Sequence, residues 1–193
     1  MTERKVYILL TDTGSFFTKL IKLYTKNPYN HASISFDPEL SEVYSFGRKK
    51  AGNPFNGGFV KEDVKQSLFK QADCAVYSLT VTEIQMQKVK RYIQEIEGQK
   101  EFYRYNFLGL FGFIINKPIK REKALFCSQF VASVLKGCNI IDFEKPLSLI
   151  APYDLLEVSE LKLVYEGKLK AYNKGTCDEW YVPVPTPFIP VEM

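Results

Sequence analysis

The chain has 193 residues, 46% of them hydrophobic and 25% charged, a balance that excludes a disordered or collagen-like polypeptide and fits a folded globular one. Its formal charge of +4, from 26 basic against 22 acidic residues, is slight and scattered. With no recognition-helix or RNP-like pattern beside it, no nucleic-acid partner is expected. No run approaches the roughly 18 apolar residues of a membrane span, and the longest, "NFLGLFGFII" from Asn106 to Ile115, is short and broken by glycine.

At this length one domain is expected over residues 1–193, with a core large enough to stand without staples. The opening "MTERKVYILLTD" has a short apolar run and no small-residue cleavage site, so it reads as part of the fold and not as a secretory signal. A cytoplasmic location follows as the expectation. Cys74, Cys127, Cys138 and Cys177 show no CxxC spacing and there is one histidine. Free thiols are expected, with no metal site and no cofactor.

"KVYILLT" (Lys5 to Thr11) reads as a buried strand. "SFFTKLIKLYTKN" places Phe17, Leu20, Ile21 and Tyr24 on one helical face, and Pro28 ends it. "HASISF" (His31 to Phe36) and "EVYSFG" (Glu42 to Gly47) flank a "DPELS" turn and predict a hairpin. "GRKKAGNPFNGGF" reads as a glycine-rich surface loop whose glycines match no phosphate-binding pattern.

"ADCAVYSLTV" (Ala72 to Val81) predicts a strand leading into a helix. Thr82 and Gln85 form its capping box, Val81 staples onto Met86, and Met86, Val89, Ile93 and Ile96 make its core stripe up to Gly98. A second helix starts at Cys127, carries Phe130, Val131, Val134 and Leu135 at helical spacing, and closes at Gly137. "LKLVYEGKLKAY" suggests a late strand pair, and the proline-rich tail 177–193 an extended segment. The class expected is α+β.

The chemistry lies in "KALFCSQFVASVL". Cys127 falls at the first turn of its helix, where unpaired amides and the helix dipole favour a thiolate. The same amides suit an oxyanion. A thiol nucleophile needs a base, and His31 in "PYNHASISF" is the sole histidine. Taken alone, a buried cysteine or a strand histidine is more often structural.

The two segments together resemble a family. "NHASISFD…EVYSFG" followed by "FCSQFVASVL" is similar to the permuted NlpC/P60 papain-like superfamily. Its YaeF/YiiX-type amidases are the nearest in pattern, and lecithin:retinol acyltransferase-like proteins are wider relatives. "NHASI" matches the H-x-x-I strand and "CSQFVASVL" the C-S-x-x-V-x-x-x-L helix. The likeness covers roughly residues 5 to 160. It implies a circularly permuted papain-like fold, with a small antiparallel sheet or barrel packed against helices. It also implies a thiol hydrolase or acyltransferase acting on a small amide or ester, peptide-like or lipid-like. Cys127 takes the nucleophile's position and His31 the base's.

The family's third residue, usually a glutamate or second histidine late in the next strand, falls on Ser45 in "VYSF". Hairpin parity favours Ser45, and Glu42 is the alternative if the register slips by one. A serine fixes the imidazole tautomer without supplying charge. Tyr105 is a candidate for lining the cleft. The competing reading is a catalytically weakened papain-like module that binds a small molecule or lipid, for which Ser45 is the main support.

Overall fold

The computed structural model describes residues 3–12, 28–49, 56–65, 69, 71–115, 117–119 and 121–172. The helix expected over 15–27, the centre of the glycine-rich loop, the tail 177–193 and Cys177 lie outside the described residues. In chain order the elements are β1 (Glu3–Asp12), β2 (His31–Ser35), β3 (Val43–Arg48), β4 (Gly57–Glu62), β5 (Asp73–Thr82) and α1 (Glu83–Gly98). Then follow β6 (Arg104–Tyr105), α2 (Phe107–Ile115), β7 (Ala124–Leu125), α3 (Cys127–Gly137) and β8 (Lys162–Lys168). One six-stranded antiparallel sheet runs β4-β3-β2-β1-β5-β8, and β6 and β7 form a short parallel pair. The chain is α+β.

Strand alternation explains how the sheet is covered. On β1, Val6, Ile8 and Leu10 point to one face and Tyr7 and Leu9 to the other, all buried. The first face joins Ala32, Ile34, Phe46, Phe59 and Leu79 to Met86, Val89 and Ile93 of α1 and Phe130, Val131, Val134 and Leu135 of α3. The second carries a smaller cluster with Val43, Val64, Cys74, Val76 and Leu169. Each large aliphatic or aromatic side chain so buried contributes about 1.5–3 kcal/mol.

The capping box of α1 is present in both directions. The Gln85 amide donates to the Thr82 hydroxyl at 3.2 Å, and the Thr82 amide donates to the Gln85 side chain at 2.9 Å. The "DPELS" turn is held by the Asp37 carboxylate, which accepts from the Ser41 and Glu42 amides at 3.0 and 3.2 Å. Its Leu40 takes a left-handed φ of 53° and still buries its side chain.

Two readings change. The end of the glycine-rich stretch is strand β4, paired with β3 from Val43–Glu62 to Arg48–Gly57. Its two glycines serve close approach to β6. A Cβ on Gly57 would lie 2.7 Å from the Tyr105 Cβ, and one on Gly58 2.6 Å from the Tyr103 carbonyl oxygen. The late strand pair is a single strand, β8, followed by a 3-10 turn at Leu169–Ala171. β8 pairs with β5 through a bulge at Val76/Tyr77.

Among the described residues no helix is long and apolar enough to cross a membrane. The apolar α2 begins at an Asn106 cap, whose side-chain oxygen accepts from the Gly109 amide at 3.0 Å. It leaves Leu108 and Ile115 exposed.

Candidate active site

His31 opens β2 and is held from behind. The Asn30 amide donates to the Thr11 carbonyl at 3.1 Å. The Asn30 side chain donates to Asp12 at 2.6 Å, and the Tyr29 hydroxyl to Glu166 at 2.6 Å. "PYN" is therefore an anchored lead-in.

β2 and β3 pair at Ile34–Tyr44 and Ser35–Val43 and then part toward His31. In the gap the Ser45 hydroxyl donates to the Ala32 carbonyl at 2.8 Å. The Ala32 amide turns instead to the sulfur of Cys127. That sulfur stands at the start of α3, whose N-cap position is Phe126, with no side-chain cap hydrogen bond. The Ser128 amide donates to the sulfur as well. An apolar residue at the cap thus leaves helix-terminal donors to the thiol.

His31 bridges to two groups. Its Nε2 donates to Glu62 Oε1 at 2.7 Å, and the ring also hydrogen-bonds to Cys127. With Nε2 taken up by the carboxylate, Nδ1 is left for the thiol. The site is close to closed: Cys127 is 4% exposed, and the side chains of His31 and Glu62 are 12% and 7% exposed.

Burial disfavours a charged imidazole, but the Glu62 carboxylate and the Cys127 sulfur outweigh it and hold His31 well above the usual histidine range. Burial likewise opposes a charged thiol at Cys127. The neighbouring imidazolium and the Ala32 and Ser128 amides overcome it and hold the thiol below its usual range. Both directions favour the thiolate–imidazolium form of the pair over the neutral one.

Tyr105 stands near the sulfur, and its phenol is held well above its usual range by burial and by that neighbouring charge. It remains a neutral donor. Its ring meets Phe107 at 4.8 Å between centroids.

The third-residue assignment is corrected. Ser45 spends its hydroxyl on the Ala32 carbonyl, and Glu42 pairs with Lys61 at 2.9 Å on the surface. The carboxylate at His31 is Glu62 of β4. Parity did bring the end of β3 to the histidine: a Cβ on Gly47 would lie 3.8 Å from the His31 ring and 3.6 Å from Glu62 Oε1. Glu62 reaches His31 across β3, passing beside Gly47.

Glu62 was missed because its strand hid behind a glycine-rich stretch. "GGFVKE" does show a Phe and a Val before an acid, but nothing local marks this glutamate among the chain's acids. Among the described residues no group of three His, Cys, Asp or Glu side chains is placed to hold a metal. Compared with protein-family models, curated proteins and solved structures, the chain finds no match.

Proposed function

We propose that the chain is a cysteine-dependent hydrolase or acyl-transfer enzyme of the permuted NlpC/P60 papain-like kind, acting on a small amide or ester. The observation that carries this reading is the chain of contacts Cys127–His31–Glu62, with the thiol at an uncapped helix start. A peptide-like or acyl substrate and a cytoplasmic setting belong to the same reading.

The Cys127 thiolate attacks the carbonyl carbon, forming a C–S bond while the carbonyl electrons move to oxygen. Helix-terminal amides and the Tyr105 phenol are the donors at hand for that oxyanion. Collapse expels an amine or alcohol, which takes the proton from His31 Nδ1 and leaves a thioester. Water or a second nucleophile then gives a proton back to Nδ1 and attacks the thioester. Glu62 holds the ring throughout, as imidazolium before and after and as neutral imidazole at the thioester stage.

The weakened-module alternative drew on Ser45 as third member, and it loses that support once a carboxylate partners His31. Intact-mass analysis after incubation with activated aryl esters and aminoacyl anilides tests the reading. An acyl adduct mapping to Cys127, absent in Cys127→Ala, is the expected result. Native labelling of Cys127 by chloroacetamide no faster than Cys74 or Cys138 overturns it.

A further inference from the structure

The Glu62 carboxylate has two oxygens and two different partners. Oε1 meets His31 Nε2 at 2.7 Å, and Oε2 accepts the Ser33 hydroxyl at 2.6 Å. Ser33 is fully buried and lies two residues after His31, on the same face of β2. Glu62 comes from β4, with all of β3 between it and β2. It crosses where Gly47 offers no side chain, its Oε1 3.6 Å from the point a Cβ would occupy.

A glutamate reaching this far has three free side-chain torsions, and an imidazole contact alone leaves the carboxylate free to rock. We propose that Ser33 is a positioning residue, whose hydroxyl pins the second oxygen of Glu62 so that the first stays in line with His31 Nε2. The contact also fixes which histidine nitrogen serves the thiol. Both neighbours of the carboxylate donate to it, so Nε2 carries the proton and Nδ1 faces Cys127.

The placement rests on the thiol-enzyme reading above only for its consequence in catalysis; the geometry stands without it. The titratable groups facing the ring are Glu62 from β4 and Cys127 from α3, with Tyr105 of β6 beside the sulfur.

Because His31 is the only histidine, its imidazole NMR signals can be titrated in the full-length protein without a substrate. In Ser33→Ala the carboxylate is released, and the His31 midpoint is expected to fall by about one pH unit or more. The acid limb of Cys127 alkylation should move upward with it. Ser33→Thr, which keeps the hydroxyl, is expected to restore both. Should alanine prevent folding, Ser33→Cys has similar volume and donates weakly, and the histidine signal remains readable.

A His31 titration in Ser33→Ala or Ser33→Cys that overlays the unsubstituted protein overturns the proposal, even if thermal stability drops. A normal titration of His31 in the unsubstituted chain, with Cys127 behaving as an ordinary thiol, is a different failure and strikes the enzyme reading itself.

Discussion

α1 and α3 begin in opposite ways. At α1, Thr82 and Gln85 satisfy each other's backbone amides. At α3, Phe126 occupies the cap position and makes no side-chain cap hydrogen bond, and the Ser128 amide serves the Cys127 sulfur. One helix start is closed for stability and the other is left open to stabilise an anion. A missing cap is not a defect when a sulfur atom takes up the helix-terminal amide.

The sharpest way to break this contrast is at the anion itself. Cys127→Ala should reduce turnover of any ester or amide substrate by about 10⁴-fold or more, with the circular-dichroism spectrum unchanged. Residual turnover near the unsubstituted level would remove α3 from the chemistry.

Next comes the partner that keeps the imidazole charged. Glu62→Gln keeps the shape and removes the charge, and should lower kcat/KM by about 10²- to 10⁴-fold. The pH profile of alkylation should shift with it. In the unsubstituted chain the thiol pKa is lowered, so alkylation of Cys127 persists below the ordinary thiol value of about 8.5 and is lost as pH falls through the depressed value. Cys74, pushed up to about 12 by burial first and by Asp73 and Glu166 after it, should stay silent across that window. Peptide mapping after timed alkylation reads both thiols in one sample.

A milder effect is expected where β4 carries β6. Gly57→Ala places a methyl 2.7 Å from the Tyr105 Cβ, and overpacking of this kind costs about 1–3 kcal/mol. Turnover should fall more than stability alone explains, because Tyr105 is displaced. Gly47→Ala makes only ordinary contacts of 3.5 to 3.8 Å and is the matched control in thermal melts.

The smallest effect belongs to the closed helix start. Thr82→Ala should cost about 1 kcal/mol in denaturant titration and leave Cys127 alkylation untouched. A change in alkylation would mean that the two starts are coupled.

Much of this contrast was legible in the residues. The capping box at Thr82, the stripe from Met86 to Ile96 and the helix opening at Cys127 depend on neighbours within a few positions, and the structure follows them. His31 beside Cys127 also came from pattern, through the strand and helix that carry them. Glu62 did not, because its role is set by pairing across two strand boundaries. Ser45 was chosen by correct parity and lost to a backbone carbonyl, since a parting ladder left Ala32 in need of a donor. Such demands arise only after strands meet.

His31 and Glu62 are 31 residues apart, and Cys127 comes from a later helix altogether. No short stretch of the polypeptide contains even two of the three. A growing or unfolded chain therefore carries a thiol of ordinary acidity, slow toward stray electrophiles. On the proposed reading, the lowered thiol pKa arises only when β2, β3, β4 and α3 have found one another, so folding itself would switch the nucleophile on. A misfolded copy would be chemically quiet, and the rate of thiolate appearance during refolding would time the closing of the sheet.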